Sequence, residues 1–234
     1  KIGKGELLVR VHASGICGSD VMEWYRLHKV PLVLGHEIGA EIVEVGKGVT
    51  RYKKDQRITA AHHVPCGKCH FCKMNHPTTC ETLRKTNFDP GGFAEYIRVP
   101  AINVKYGVFP LPENISYEEA TFVEPLACVL RGQRIAGMKK SKSVLIIGCG
   151  ISGCLHLKLT RTSGASCIVA LDVVEYRLDK AKKFGACLAI NAKDYNPDIF
   201  RKQNRGLLAD IVIVCTAALP AISQAIDSVE RGGI

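Results

Sequence analysis

Apolar and polar positions alternate in short runs through the first half of the chain and merge into unbroken apolar runs in the second. Leu7–His12, Ala40–Val45 and Ala94–Val99 carry the alternating pattern and are punctuated by Gly and Pro, which predicts short β-strands with one face buried. From Ser143 the pattern changes. Val144–Ile147, Cys167–Leu171, Leu188–Ile190 and Ile211–Val214 are apolar throughout. Helix-compatible stretches follow at Ile151–Thr162, Glu175–Phe184 and Ala221–Val229. Strands apolar on both faces, alternating with helices, predict a parallel sheet covered on each side. Four such strands and the start of a fifth are legible, and no internal repeat or low-complexity segment appears. The expected organisation is α/β, with a β-rich domain over residues 1–115 and a doubly wound domain over residues 116–234. The chain opens without Met just before a strand and stops where another should begin, so it reads as an interior portion of a longer protein.

The first apolar strand of the second half runs directly into Gly148-Cys149-Gly150-Ile151-Ser152-Gly153, a G-x-G-x-x-G pattern that opens a predicted helix. That context gives the pattern its meaning. Gly148 allows the tight turn, Gly150 lets backbone approach a pyrophosphate, and Gly153 permits close helix–strand packing. Ile151 and Ser152 place their amides at the helix N-terminus, facing the anion. The next strand ends in Asp172, nineteen residues beyond Gly153, where a carboxylate accepts the ribose hydroxyls of NAD and repels the extra phosphate of NADP. Arg177 is expected along the same ribose. The competing expectation for Asp172 is a cap on the helix that follows it.

Cys66, Cys69, Cys72 and Cys80 form C-x2-C-x2-C-x7-C within fifteen residues. Lys68, Lys73, Gly67 and Asn75 make the segment a polar loop, where buried core cysteines are not expected. A ferredoxin-type run would place its fourth cysteine after three residues and follow it with proline; here seven intervene and Glu81 follows. The spacing predicts a closed tetrahedral zinc site that supplies folding energy instead of chemistry. Eleven cysteines, an odd number, argue against a secreted disulfide framework and for the cytoplasm. No apolar run is long enough to span a bilayer. The net charge of +10 is spread in ones and twos without interleaved aromatics, which describes a solvated surface and not a nucleic-acid stripe.

Cys17 lies in Ser14-Gly15-Ile16-Cys17-Gly18-Ser19-Asp20, and His36 and Glu37 lie in Leu34-Gly35-His36-Glu37-Ile38-Gly39. A lone histidine is more often structural, but a thiolate, an imidazole and nearby carboxylates form a zinc-type donor set with a place left for substrate. Taken with the four-cysteine loop, Gly91-Gly92-Phe93-Ala94-Glu95-Tyr96, Glu124-Pro125-Leu126 and the glycine motif, these segments stand in an order that resembles the zinc-containing medium-chain dehydrogenases from end to end. The resemblance implies a GroES-like catalytic domain and a Rossmann domain, the latter incomplete here. It also implies two zinc ions per chain, one catalytic and one structural, NAD as cofactor, and a homodimer or homotetramer.

Carried over by position, Cys17 and His36 resemble catalytic zinc ligands, and Glu37 is similar to the glutamate that ligates or approaches the metal. Glu124 stands where classical alcohol dehydrogenases place a second cysteine, which is similar to the polyol (sorbitol-type) branch and to some threonine dehydrogenases. The resemblance implies oxidation of a small alcohol or polyol, with L-threonine 3-dehydrogenase-like or simple alcohol dehydrogenase activity as the alternatives. Ala127-Cys128 after Glu-Pro-Leu, in place of the Gly-Asn of threonine enzymes, favours polyols. Ser19 would receive the proton of the substrate hydroxyl, its competing role being to cap the short helix after Cys17. Met22 stands where a relay histidine is common. Cys128, Cys149, Cys154, Cys167, Cys187 and Cys215 match no ligand pattern and read as small buried hydrophobes.

Overall fold

A computed structural model of the chain describes residues 1–234, His28 by its backbone alone. The chain divides into two compact units, Lys1–Pro125 and Leu126–Ile234. Residues 116–125, grouped with the second domain by the change in sequence pattern, lie with the first unit. The reason is local: the short helix Tyr117–Ala120, opened by a Ser116/Glu119 capping box, packs on the first unit's sheet.

In the first unit, β1 (Leu7–Gly15), β2 (Glu37–Val45), β3 (Arg57–Ala60), β4 (Tyr96–Val99) and β5 (Val108–Pro110) form one antiparallel sheet in the order β4-β1-β2-β3-β5. Leu7 and Val9 of β1 point inward with Ile38, Ala40 and Ile42 of β2, Ile58 of β3, and Ile97 and Val99 of β4. This is the period-2 burial that the alternating runs require. The register of the central pair places the functional segments: Gly15 at the end of β1 lies opposite Glu37 at the start of β2. The Cys17 turn therefore leaves the sheet at the same end at which His36 and Glu37 enter it.

In the second unit, β6 (Ser143–Ile147), β7 (Cys167–Asp172), β8 (Leu188–Asn191) and β9 (Ile211–Val214) form a parallel sheet in the order β8-β7-β6-β9. Val144, Ile146, Ile168 and Ala170 pack on one face with Leu157, Leu178 and Ala181. Leu145, Ile147, Val169 and Leu171 pack on the other with Tyr195, Phe200 and Ala221. Both faces are covered, which is why these strands read as continuous apolar runs. Ile234 accepts from the Val212 amide and donates to the Asp210 carbonyl beside β9; the sheet itself has four strands.

The helix Val123–Ile135 is absent from the sequence reading because Pro125 and Gly132 look like breakers. Pro125 falls in the first turn, where its missing N–H leaves no intrahelical bond unmade.

Candidate functional site

The cysteine loop folds on itself so that its four sulfurs lie within 4.8 Å of one another. Cys69 and Cys72 sulfurs are 3.5 Å apart, and those of Cys66 and Cys72 4.0 Å. A tetrahedron of ~2.3 Å zinc–sulfur bonds has edges of ~3.8 Å, so the cage has the size of that ion. Backbone amides of Lys68 and Cys69 point at Cys66 Sγ, and the amide of Cys66 points at Cys80 Sγ. Such donors favour thiolates. The amides of Cys66 and Leu83 draw Cys80 down to about 6, whereas burial and a hydrogen bond shared with Cys69 push Cys72 up to about 12. Without a metal the cluster would keep some protons; a dication would displace them. All four positions are filled by protein, so the site is structural.

The second donor set lies where the register places it. Single donor atoms of Cys17, His36 and Glu37 lie within 4.8 Å of one another, with His36 and Glu37 buried. Gly15 lies directly beneath the Glu37 side chain, and a Cβ there would displace the Glu37 carboxylate from this position. The hydrogen bond between Cys17 and His36 draws the thiol below its usual value and raises the imidazole above its own, where the Asp20 charge assists. Burial raises the Glu37 carboxyl, and the charges of Glu124 and Asp20 raise it further against the opposing His36. Crowded anionic donors that share protons fit a dication well. Three protein donors around one point leave a position for a ligand, the pattern of catalytic zinc. Glu124 stands outside the three-residue set but near enough for its charge to act on both His36 and Glu37.

Ser19 is held at this site by Arg26. The Arg26 Nη2 donates to Ser19 Oγ at 2.9 Å, and Nε donates to the Ser19 carbonyl at 2.7 Å. The same guanidinium reaches Asp20 Oδ1 at 3.3 Å, and that oxygen lies 3.6 Å from His36 Nδ1. Ser19 is not the helix cap. Cys17 fills that role, its sulfur accepting from the Ser19 amide while the Asp20 carboxylate accepts from the Cys17 amide. Sequence reasoning missed Arg26 because nothing in its spacing ties it to the motif seven residues earlier. It also passed over His62, whose ring lies 4.6 Å from that of His36, and His63, which packs against His62. Burial pushes His62 down to about 2.

In the second unit the glycine motif forms the turn from β6 into the helix Ile151–Thr162. Gly148 has φ +95°, a left-handed conformation that glycine adopts without cost. A Cβ at Gly153 would lie 1.9 Å from the Gly148 carbonyl oxygen, whereas one at Gly150 would meet nothing within 4 Å. Glycine is thus demanded at Gly153 by packing within the fold. At Gly150 the chain leaves open space beside the helix N-terminus, where Ile151 and Ser152 stand exposed. A bound pyrophosphate would use that space. Asp172 is 5% exposed; its Oδ2 accepts from the Cys149 amide at 2.7 Å and its Oδ1 from the Val174 amide at 3.0 Å. The following helix has Val174 as its cap residue, so Asp172 ties the glycine turn to the end of β7 instead of capping. Arg177 Nη1 lies 3.7 Å from Asp172 Oδ2. Of the remaining cysteines, Cys149 and Cys167 are buried as expected, but Cys128 and Cys187 are exposed; Cys187 follows the turn into β8, and Cys128 lies on the helix that the sequence did not announce. Among the described residues none of the cysteines is disulfide-bonded and no helix is long and apolar enough to cross a membrane.

Comparison with known proteins agrees with both halves. Residues 3–113 match the alcohol dehydrogenase GroES-like domain, and residues 152–234 match the zinc-binding dehydrogenase domain. L-threonine 3-dehydrogenase of Caldanaerobacter subterraneus subsp. tengcongensis is 35% identical over all of this chain and 68% of its own length. Among solved structures, an alcohol dehydrogenase from Thermus sp. ATN1 superposes with a TM-score of 0.83 at 31% identity, over 97% of this chain and 68% of that one. Galactitol-1-phosphate dehydrogenase from Escherichia coli gives 0.85 at 27% identity, over 97% and 66%.

Proposed function

We propose that this chain, which belongs to the zinc-binding dehydrogenase family, transfers a hydride between the carbinol of a polyol or related secondary alcohol and NAD. The observation that carries the reading is the convergence of Cys17, His36 and Glu37 on one point with a position left open. Cys17, His36 and Glu37 would hold a zinc ion that would supply Lewis acidity to a substrate hydroxyl, and the glycine turn would hold NAD, which would supply the hydride acceptor. The residues of the chain do the rest. Asp20 Oδ1 lies 3.6 Å from His36 Nδ1, placing a carboxylate behind the imidazole. Arg26 holds the Ser19 hydroxyl by one lone pair; the guanidinium only donates, so Ser19 keeps its own hydrogen and its second lone pair for exchange with a substrate hydroxyl. Asp172 presents one remaining lone pair on each oxygen to a ribose, which supports NAD over NADP.

The nearness of Glu124 to His36 and Glu37 supports a polyol, since it adds a carboxylate where simple alcohol dehydrogenases place a thiolate. A second reading, oxidation of L-threonine, is favoured by the names of several relatives at 30–35% identity. The deciding experiment measures NAD reduction by the full-length protein with polyols, simple secondary alcohols and L-threonine. Polyols are expected to give the highest kcat/KM. A lead for L-threonine would transfer the assignment to the second reading, and no turnover with any of them would refute both.

A further inference from the structure

Beside the Cys17 set stands a histidine that the mechanism above does not use. His62 follows β3, its ring 4.6 Å from that of His36 and 3.9 Å from that of His63, with Phe88 edge-on at 6.3 Å. Its Nδ1 is sealed from solvent without a hydrogen-bond partner. Neither ring nitrogen has a partner among the described residues. The backbone that presents it is clamped. Asn103, fully buried, donates from Nδ2 to the carbonyls of Ala61 at 2.9 Å and His62 at 2.8 Å, leaving its own Oδ1 unpaired. On the other side the Val64 amide donates to Thr86 Oγ1 at 3.0 Å. A polar side chain buried at the expense of one unmet acceptor, in order to hold these two carbonyls, marks the position of His62 as one the fold maintains.

Because Nδ1 is closed off, only Nε2 can meet a ligand. An orphaned N–H is the rarer and costlier state to bury, so the hydrogen of the neutral ring belongs on Nε2, and His62 offers a donor. A donor accepts the company of an oxygen and repels an ammonium group. We propose that His62 is a specificity-determining residue that donates from Nε2 to an oxygen on the carbon next to the reacting carbinol. The site then favours vicinal diols and polyols over simple secondary alcohols and over amino alcohols. This inference rests on the reading that the Cys17 set oxidises an alcohol, and it separates the polyol from the threonine alternative by the chemistry of one neighbouring group.

The test uses the full-length, zinc-loaded enzyme and three substrates of one skeleton: 2,3-butanediol, 2-butanol and 3-amino-2-butanol. The diol is expected to give the highest kcat/KM. His62→Ala is expected to remove about tenfold or more of the diol's advantage, the worth of a hydrogen bond made in a desolvated site, while kcat/KM for 2-butanol and the zinc content hold. His62→Gln, whose amide places a donor near the same point, should restore part of that advantage. Calorimetry gives a readout apart from turnover: acetoin, the oxidised diol, should bind the NADH complex of His62→Ala about tenfold more weakly, with NADH binding itself unchanged. Equal losses on all three substrates would make His62 a packing residue and overturn the inference. A preference of the unaltered enzyme for the amino alcohol would overturn the donor assignment. Turnover of none of the three would instead defeat the alcohol-oxidation reading, and the inference would fall with it.

Discussion

Alanine at Gly150 and alanine at Gly153 are the same chemical change three residues apart, with opposite expected consequences. At Gly150 the backbone lies at φ −68°, ψ −166°, which alanine adopts, and the new methyl meets nothing within 4 Å. Glycine is the better helix cap by ~0.5–1 kcal/mol, and alanine gains ~0.4–1 kcal/mol by restricting the unfolded chain. These offset, so Tm should move by no more than about 2–4 °C, the response to ~1 kcal/mol in a protein of this size. The methyl would nevertheless fill the space through which a diphosphate reaches the amides of the helix. Loss of hydrogen bonds to a charged group costs ~1.5–3 kcal/mol, so NAD affinity should fall by on the order of ten- to a hundredfold. At Gly153 the methyl would lie 1.9 Å from the Gly148 carbonyl oxygen. Helix and turn must separate, at ~1–3 kcal/mol or more, and the principal readout becomes a lowered Tm. Thermal unfolding and calorimetric NAD titration of the two full-length variants check both arms. A Gly150→Ala protein that binds NAD like the unaltered protein would show that the open space is not the nucleotide cradle. A Gly150→Ala protein that melts as early as Gly153→Ala would refute the packing argument.

Asp172→Ser should weaken NAD by on the order of tenfold or more and NADP by less, because the carboxylate that repels the extra phosphate is gone; Kd ratios for the two nucleotides measure this, and an unaltered enzyme that already prefers NADP would refute it. Glu124→Gln keeps the shape and removes the charge near His36 and Glu37, so kcat/KM should fall ~10–100-fold with the four-cysteine zinc retained, as read by metal analysis beside steady-state kinetics. His156 is buried, its Nδ1 3.2 Å from the Gln133 side-chain amide, and burial holds its pKa below the ordinary value. The unfolded chain therefore takes up this proton first. Its contribution to stability is complete above about pH 6.5 and is lost as pH falls toward the folded-state value. Denaturant unfolding across that range should show a shallower loss in His156→Gln than in the unaltered protein.

Much of this was legible in the chain because the physics that makes each element is local. The apolar runs at Val144–Ile147 and Cys167–Leu171 can only be strands covered on both faces, and the cysteine spacing can close only a short loop. Cys17 and His36 were legible as a pair through family resemblance; the structure supplies the cause, the Gly15–Glu37 register that brings their segments to one end of the sheet. What the sequence hid depends on contacts made at a distance. Arg26 joins the site through the fold of a short segment onto Ser19, and His62 through the clamp from Asn103, forty-one residues away. Asp172 was located correctly at the end of β7, but its grip on the Cys149 and Val174 amides follows from the parallel pairing of β6 with β7. The helix Val123–Ile135 was missed because a proline in a first turn and a proline in a helix interior look alike in sequence.

The proposed function requires that Cys17, His36 and Glu37 hold an exchangeable zinc while the four cysteines hold a separate structural one. Stepwise chelation tests it most directly, with zinc content, NAD reduction on a polyol and circular dichroism followed together during dialysis of the full-length enzyme against EDTA. About two zinc ions per chain are expected at the start, with loss of about one in step with activity while the fold persists, and recovery when zinc is returned. A starting content of one zinc, or the departure of both with the fold, would contradict it.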